Sequence, residues 1–181
     1  MRIASVEHVF DSEEIARIAV IASRFEPISG GVEGPKLHNE SIRRSRVRWL
    51  RRTVDTYWIY ARLMEHILEL NQSYWRFDLN LLSDDIQYGE YAESGHYTWH
   101  MDLGGGNMST RKLSFSVQLS DPADYDGGEL ELKNSTRTLV APRAQGTLIV
   151  FPSFLLHRVA PVTRGTRRSL VGWASGTHPY R

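Results

Sequence analysis

The sequence contains no cysteine, no long apolar run and no excess of charge of one sign. Without cysteine the chain has neither a disulfide scaffold nor a zinc–thiolate site, and it suits a reducing compartment. No apolar stretch is long enough to span a bilayer, and the N-terminal segment is too polar for a secretory signal. A net charge of +1 argues against a protein-wide field for nucleic acid. We therefore expect a cytoplasmic protein without a membrane partner.

The composition is that of an ordinary globular chain. Of its 181 residues, 41% are hydrophobic and 24% are charged, so one full hydrophobic core suits the length. Neither repeats nor a convincing linker interrupts it. We predict a single domain over residues 1–181, in which residues 1–80 form helical and edge-strand support and residues 85–175 form a β-rich core.

Two helices are predicted in the supporting part. Asp11 is a candidate N-cap for a helix over residues 12–23, with Glu14 at the capping-box position. Residues 55–71 have apolar side chains at helical spacing, which predicts an amphipathic helix. The residues on its predicted apolar face are Tyr57, Ala61, Met64 and Leu68.

A histidine and an aspartate two residues apart are the first chemical signal. His100 and Asp102 follow a strand-like segment and point to the same side of it, so an imidazole and a carboxylate converge. With 7 histidines and 21 acidic residues, chance alone yields about one such triplet in 181 residues. The triplet therefore needs support from elsewhere in the chain.

The C-terminal third supplies that support. Residues 146–157 form an apolar β-rich strand, a proline-containing turn and then His157. On the final strand, Arg167 and Ser169 share one face while Arg168 points to the other. Two imidazoles and one carboxylate are the facial triad of non-haem iron(II) oxygenases. A buried arginine can pair bidentately with a carboxylate of 2-oxoglutarate, the cosubstrate of many such enzymes.

Three stretches between about Gln87 and Trp173 carry a family resemblance. They are Tyr97-Thr-Trp-His-Met-Asp102, Leu119-Ser-Asp-Pro-Ala-Asp-Tyr-Asp-Gly-Gly-Glu-Leu130 and Phe151-Pro-Ser-Phe-Leu-Leu-His-Arg-Val-Ala-Pro-Val-Thr-Arg-Gly165. Together they resemble the prolyl-4-hydroxylase-like branch of the Fe(II)/2-oxoglutarate dioxygenases, close to the bacterial PKHD-type hydroxylases. The resemblance implies a mainly β fold with flanking helices, a double-stranded β-helix (a cupin-like jelly roll) with N-terminal supporting helices.

The resemblance also implies a site and a reaction. The residues in the iron-ligand positions are His100, Asp102 and His157. The candidate cosubstrate-binding residues are Arg167, Ser169, Tyr91 and Gln118, the last of which stands where some relatives carry a tyrosine. The implied reaction couples oxidative decarboxylation of 2-oxoglutarate to hydroxylation of a C–H bond, with Fe(II), dioxygen and ascorbate as a reductant. The implied substrate is a prolyl or other amino-acid group, as a free amino acid, a peptide or a protein.

Strand alternation makes two further predictions about the site. In residues 112–119, apolar side chains alternate with Ser114, Ser116 and Gln118, and we expect this polar face to line a central cavity. Tyr97 lies three residues before His100, so regular alternation points it away from the ligand face unless the strand bulges. The family resemblance, by contrast, places a tyrosine there near the site.

A glycine-rich segment follows the candidate carboxylate ligand. Gly104 to Thr110 begins with three glycines, which permit backbone conformations closed to other residues. One interpretation is a flexible connection. We favour the other, a lid that orders over substrate and excludes water.

Two alternative functions compete with hydroxylation. A jelly roll can be a non-catalytic binding module for a small ligand, although binding alone gives no reason for a facial triad. The arginine-rich run 43–52 keeps a nucleic-acid demethylase open. That group carries a second arginine six residues after the first, and the equivalent position here is Trp173. We interpret the run instead as an edge strand with a solvated arginine face, so a nucleic-acid partner is not expected.

Overall fold

The computed structural model describes residues 2–30, 39–82 and 84–180. Within them the α-helices are α1 (Ser12–Ala22) and α2 (Tyr57–Tyr74), with 3-10 helices at Gly106–Thr110 and Pro122–Asp124. The strands are β1 (Ala4–Val6), β2 (Ile28–Ser29), β3 (Arg43–Arg44), β4 (Arg46–Leu50), β5 (Leu81–Leu82), β6 (Ile86–Tyr91), β7 (His96–His100), β8 (Arg111–Gln118), β9 (Tyr125–Gly127), β10 (Leu130–Asn134), β11 (Arg137–Val140), β12 (Leu148–Pro152), β13 (His157–Val159), β14 (Val162–Gly165) and β15 (Arg167–Ser175).

Helix α1 begins as the sequence predicts. The Asp11 carboxylate accepts a hydrogen bond from the backbone amide of Glu14 at 2.8 Å, and the Glu14 carboxylate accepts one from the Asp11 amide at 3.1 Å. This reciprocal pair satisfies two amides that would otherwise lack partners at the start of the helix. The helix ends at Ala22, one residue before the predicted end, and the capping-box prediction is confirmed.

The predicted core face of α2 is wrong. The helix starts at Tyr57 and continues to Tyr74, a register shifted toward the C-terminus relative to residues 55–71. Tyr57 and Leu68, predicted to face the core, are 69% and 44% exposed. The face that is buried consists of Ile59, Tyr60, Leu63, Ile67 and Asn71.

A hydrogen-bonded tyrosine fixes the rotation of α2. The Tyr60 hydroxyl donates to the Leu50 carbonyl at 2.5 Å and accepts from the Ile86 amide at 2.9 Å. It thereby ties the helix to the ends of two adjacent strands, β4 and β6. Burial of each large apolar side chain on this face is worth about 1.5–3 kcal/mol. Tertiary contacts of this kind select one stripe among several that the sequence pattern allows.

Two antiparallel sheets face each other across a cavity. The larger, here called the major sheet, has the order β1-β12-β8-β15-β6-β4-β2, with β5 also paired to β15. The minor sheet has the order β11-β10-β13-β7-β3, and β14 pairs with β9 separately. Side chains from both sheets line the space between them.

The main hydrophobic core lies on the outer side of the major sheet. Ile59 and Leu63 of α2 belong to the same buried cluster as Phe115, Leu148 and Leu170 of three neighbouring strands. Because the helices cover this side, the opposite side of the sheet can carry polar groups that face the cavity. In the described part of the chain, no helix is both long and apolar enough to cross a membrane.

The arginine-rich run differs from the single edge strand that was predicted. It forms two strands on different sheets: β3 is an edge of the minor sheet, whereas β4 lies between β6 and β2 in the major sheet. Arg44 and Arg46 are exposed, as expected for a solvated face, but Arg43 is only 7% exposed. The chain passes from one sheet to the other at Ser45, and Arg43 points to the opposite side of β3 from the exposed Arg44.

Candidate functional site

His100, Asp102 and His157 converge at the end of the minor sheet. His100 ends β7 and His157 begins β13, and the two are directly paired across the strands. The Asp102 oxygens lie 3.7 Å from His100 Nε2 and 3.5 Å from His157 Nε2. One ligand atom from each of the three residues fits within 4.8 Å of the others, which is a spacing that can hold a metal ion. The predicted convergence of the three side chains is confirmed.

Both imidazoles are oriented by backbone carbonyls. His100 Nδ1 donates to the Thr98 carbonyl at 2.8 Å, and His157 Nδ1 donates to the Leu155 carbonyl at 2.9 Å. In each case the acceptor lies two residues earlier. With the proton held on Nδ1, each Nε2 presents its lone pair to the shared centre, which is the state a metal ligand requires.

The carboxylate and one imidazole are held in the charge states that favour a metal. Burial, and then the neighbouring His157, lower the pKa of His100 to about 3, so its imidazole is neutral at physiological pH. Burial alone would raise the pKa of Asp102, but the two histidines and a hydrogen bond from Ser114 outweigh it and hold the pKa below its usual value. The site therefore combines a carboxylate with the neutral His100 imidazole, and the His157 imidazole is the third candidate ligand.

Two serines support the carboxylate ligand. Ser114 Oγ on β8 donates to Asp102 Oδ2 at 2.6 Å, and Ser153 Oγ lies 3.0 Å from Ser114 Oγ. The backbone amide of Asp102 also donates to the Ser153 carbonyl at 2.9 Å. The turn after β7 is thus anchored to the major sheet. Such outer partners orient a ligand and adjust its basicity.

Arg167 is a buried cation at the other end of the cavity. It is 1% exposed, and burial lowers the pKa of its guanidinium. Nη1 donates to Ser169 Oγ at 3.2 Å and Nη2 to Gln118 Oε1 at 3.0 Å, while the Tyr91 ring centroid lies 5.7 Å from Cζ. Over residues 2–30, 39–82 and 84–180, no carboxylate pairs with Arg167 and its Nε has no hydrogen-bond partner.

The neighbouring arginine behaves as its position in the strand predicts. Arg168 points to the opposite face of β15, where its side chain is 44% exposed and lies 3.5 Å from Glu90. The four candidate cosubstrate residues Arg167, Ser169, Tyr91 and Gln118 are all buried and adjacent. A buried cation without an acidic partner is costly, so this end of the cavity is suited to an anionic ligand.

A cavity of about 540 Å³ joins the two ends of the site, and its walls include His100, Asp102, His157, Arg167 and Ser169. Of the polar face of β8 that was expected to line the cavity, Ser116 lies in the wall, whereas Ser114 and Gln118 are bonded to the site residues Asp102 and Arg167. One buried polar atom in the wall, Ser116 Oγ, lacks a hydrogen-bond partner among the described residues. The Trp173 indole, also in the wall, contributes to holding the pKa of Asp102 below its usual value.

Tyr97 reaches the site because β7 bulges. His157 pairs with His100 and Val159 pairs with Tyr97, so two steps along β13 match three along β7. The extra residue reverses the alternation, and the Tyr97 ring stacks on His100 with centroids 3.5 Å apart and planes 16° apart. The position implied by the family resemblance is therefore the observed one, and regular alternation gave the wrong side.

Two arginines in the cavity wall were missed by sequence reasoning. Arg111 lies 3.7 Å above the Trp173 ring and forms an ion pair with Asp84. Arg43 lies 4.7 Å from the Tyr97 ring centroid. The signal for Arg43 was present, because Arg43 and Arg44 are adjacent in a strand and cannot both face solvent.

The glycine-rich segment lies at the edge of the cavity. Gly106–Thr110 forms a 3-10 helix, and Gly105 and Met108 contribute to the cavity wall. Gly105 is exposed, and an added Cβ there would meet nothing within 4 Å. The segment is therefore placed where a lid would act, and its ordering over a substrate stays a prediction.

Residues 86–175 match the family model described as the 2OG-Fe(II) oxygenase superfamily. Among curated proteins, the chain is 36% identical over 121 residues to a PKHD-type hydroxylase of Acidovorax ebreus, a match that covers 62% of this chain and 53% of the relative. The chain spans about half the length of the curated relatives it matches.

Solved structures share the fold over nearly the whole chain. A prolyl-4-hydroxylase of Pseudomonas putida superposes with a TM-score of 0.74 and 21% identity, covering 96% of this chain and 92% of that one. A prolyl hydroxylase of Trichoplax adhaerens, in complex with a hypoxia inducible factor peptide fragment, gives a TM-score of 0.78 at 15% identity, covering 96% and 83%. The predicted jelly-roll fold with supporting helices is confirmed.

Proposed function

Since residues 86–175 form a domain of the 2OG-Fe(II) oxygenase superfamily, we propose that this chain is an Fe(II)- and 2-oxoglutarate-dependent dioxygenase that hydroxylates a C–H bond. We further propose that residues 1–181 act as one domain, with residues 1–80 supporting the β-rich core at 85–175. The observation that carries the proposal is a cavity with a candidate metal triad at one end and, at the other, a buried arginine that has no carboxylate partner among the described residues.

The donor set fits iron. Two imidazoles and a carboxylate on one side of a centre suit Fe(II) and leave room on the cavity side for a chelating cosubstrate. His100, Asp102 and His157 would hold the metal, with Ser114 fixing the carboxylate through its 2.6 Å hydrogen bond. When bound, Fe(II) and 2-oxoglutarate supply the oxidising chemistry, in which dioxygen is reduced, 2-oxoglutarate is decarboxylated and the substrate is hydroxylated.

The arginine end of the cavity fits the far carboxylate of 2-oxoglutarate. Arg167 would pair with that carboxylate, and Ser169 would donate a further hydrogen bond from the same face of β15. Gln118 bonds to Nη2 and so holds the guanidinium in its orientation, with its own amide donating to the Pro142 carbonyl at 3.0 Å. Tyr91 covers the guanidinium from β6. These residues bind and orient, and they exclude water from the site.

We propose an amino-acid group within a peptide or protein, prolyl among the candidates, as the substrate. The support is indirect: the curated relatives are named PKHD-type hydroxylases, and one of the structural neighbours is a prolyl hydroxylase bound to a peptide fragment. The cavity of about 540 Å³ leaves space beside the cosubstrate for a side chain. A cytoplasmic location is a sequence-based proposal that the absence of cysteine supports. Use of ascorbate as reductant is likewise proposed from the family resemblance.

Turnover of the cosubstrate tests the proposal. The protein is incubated with Fe(II), 2-oxoglutarate and ascorbate, with and without a library of proline-containing peptides, and succinate and oxygen are measured together. We expect succinate formation that is matched by oxygen consumption. Both should be faster with a peptide substrate, whose mass should increase by about 16 Da, the mass of one oxygen atom. Tight binding of 2-oxoglutarate without succinate or oxygen uptake would instead identify a non-catalytic binding module.

A further inference from the structure

Three planar side chains are stacked at the minor-sheet side of the cavity. The Tyr97 ring lies against the His100 imidazole at 3.5 Å, and the Arg43 guanidinium lies 4.7 Å from the Tyr97 centroid. Because the imidazole already covers one face of the phenol ring, the guanidinium lies against the other. The order Arg43–Tyr97–His100 therefore ends on a side chain of the candidate metal triad.

Arg43 is fixed independently of the residues in the triad. It is 7% exposed, its Nε donates to Ser45 Oγ at 2.8 Å, and one terminal nitrogen donates to Gln87 Oε1 at 3.2 Å. Gly30 packs so closely that an added Cβ would lie 2.6 Å from Arg43 Nε. The guanidinium is thus held from the major sheet while it contacts a ring on the minor sheet.

Tyr97 needs such a support because of how it reaches the site. The bulge in β7 turns its side chain inward at the expense of regular pairing with β13. Arg43 is the residue paired with Tyr97 on the adjoining strand β3. A cation over the face of the Tyr97 ring stabilises one orientation of that ring.

We infer that Arg43 is a positioning residue for the metal centre, acting through Tyr97 on the orientation of the His100 imidazole. The inference rests on the proposed function, because it requires that His100 bind a metal. The hydrogen bond from Nδ1 to Thr98 leaves the imidazole one rotation, and the stacked phenol ring restricts that rotation. Without the guanidinium, the Tyr97 ring can adopt more orientations, and the His100 imidazole stacked on it is held less firmly in the orientation that binds metal.

Metal affinity without cosubstrate is the measurement, with Mn(II) as the probe in calorimetry on the metal-free protein. Arg43→Met keeps the length of the side chain and removes the charged group, and we expect about tenfold weaker Mn(II) binding, as for other outer partners of a ligand. Arg43→Lys keeps a cation and should recover most of the loss. Arg44→Met is the matched control: the same change, next in sequence on the exposed face of β3, should leave the affinity unchanged.

A double-mutant cycle separates positioning from general structural support. Tyr97→Ala removes the ring and should weaken Mn(II) binding at least as much as Arg43→Met, whereas Tyr97→Phe keeps the ring and should bind like the parent protein. In the Tyr97→Ala background, Arg43→Met should then change the affinity by less than about twofold, because the two residues act in series. Independent, fully additive losses would overturn the inference.

Spectroscopy and a second variant cover a failure of Arg43→Met to fold. The visible absorption of the Co(II)-loaded protein reports ligand geometry, and it should change in Arg43→Met and return toward the parent spectrum in Arg43→Lys. Gly30→Ala keeps all three stacked residues in the sequence, but its Cβ displaces Ser45 Oγ and the Arg43 side chain. It should weaken Mn(II) binding severalfold with the thermal unfolding midpoint preserved. If Gly30→Ala and a folded Arg43→Met both bind Mn(II) like the parent protein, Arg43 does not position the ligand.

His100→Ala distinguishes failure of this inference from failure of the proposed function. If the parent protein does not bind Mn(II), or if His100→Ala binds it equally well, the metal centre itself is wrong and the inference falls with it. If the parent binds Mn(II) and His100→Ala does not, the metal centre stands. Parent-like affinity in Arg43→Met then contradicts the positioning role alone.

Discussion

The two sheets supply the two ends of the site by different means. The minor sheet and the turn after β7 carry the candidate metal triad, and each histidine there is oriented by a carbonyl two residues earlier in its own chain segment. The major sheet carries Arg167, whose guanidinium donates to side chains on β15 and on the adjacent strand β8. One end is therefore organised locally and the other by the pairing of strands.

This difference predicts how each end responds to change. A locally oriented imidazole keeps its geometry as long as its strand end is intact. The guanidinium depends on the register that places Ser169 opposite Gln118 across β15 and β8. Helices pack on the outer side of the major sheet, so its polar inner side is supported by an extensive hydrophobic core. Substitutions at the metal end should affect metal binding first, and those at the arginine end should affect the cosubstrate first.

The largest effect is expected from substitution of any residue of the candidate metal triad. His100→Ala, Asp102→Ala or His157→Ala should abolish activity and weaken Fe(II) or Mn(II) binding more than about 100-fold, beyond what loss of an outer partner costs. Folding should be retained, because apolar side chains of the core clusters stabilise the fold. Calorimetric metal titration checks the affinity and thermal unfolding checks the fold. Unchanged metal affinity in all three variants would remove the triad from the proposed mechanism.

Next in size is the effect of the arginine end, tested with a matched pair. Arg167→Ala should raise the 2-oxoglutarate requirement about 100-fold or more, since removing one partner of a buried ion pair costs about 3–5 kcal/mol. Arg168→Ala, on the exposed face of the same strand, should leave that requirement near the parent value. Metal affinity should be unchanged in both. The measurement is 2-oxoglutarate-dependent succinate formation, and an exchange of the two phenotypes would mean that the strand faces are assigned wrongly.

A smaller effect is expected from the hydrogen bond between Ser114 of the major sheet and Asp102 of the candidate metal triad. Ser114→Ala removes the 2.6 Å hydrogen bond to Asp102 and should weaken metal binding about tenfold. Ser116→Ala is the control, because it lies on the same face of β8 but has no hydrogen bond to the triad in the described residues. Equal metal affinities for the two variants would show that the sheets act independently at this end.

The smallest effect concerns the glycine-rich segment at the edge of the cavity. Gly105 has φ −79°, a conformation that proline adopts, so Gly105→Pro stiffens Gly104–Thr110 without backbone strain. If the segment is a lid, hydroxylation of the substrate should fall a fewfold more than uncoupled 2-oxoglutarate turnover, because cosubstrate binding depends on Arg167. Hydrogen exchange should slow in this segment when cosubstrate and substrate are both bound. Equally fast exchange in both states, with unaltered coupling, would make it a plain connection.

Several features could be predicted because they depend on neighbours in sequence. The capping box at Asp11 and Glu14 lies within one helical turn, and it formed as expected. The opposite faces of Arg167 and Arg168 follow from the period of a strand. Alternation with apolar residues also predicts one polar face on β8, from which Ser116 lines the cavity and Ser114 and Gln118 bond to Asp102 and Arg167.

Other features depend on contacts between distant segments and could not be predicted. Helical spacing predicts that Tyr57 and Leu68 lie on the buried face of α2. The hydrogen bonds of Tyr60 to β4 and β6 fix the helix in an orientation that buries a different face. The arginine-rich run predicts one strand, whereas it forms β3 in the minor sheet and β4 in the major sheet. In both cases the sequence pattern permits more than one arrangement, and contacts with residues distant in sequence determine which one forms.

The sequence by itself determined the chemistry available: two histidines, an aspartate and an arginine at spacings that regular strands convert into shared faces. Tertiary structure alone decided which further side chains join them. A bulge in β7 brings Tyr97 onto His100, and the pairing of β3 with β7 places Arg43 against Tyr97. The physical reason is that strand period is a local property of the backbone, whereas bulges and strand pairing depend on the neighbouring strands.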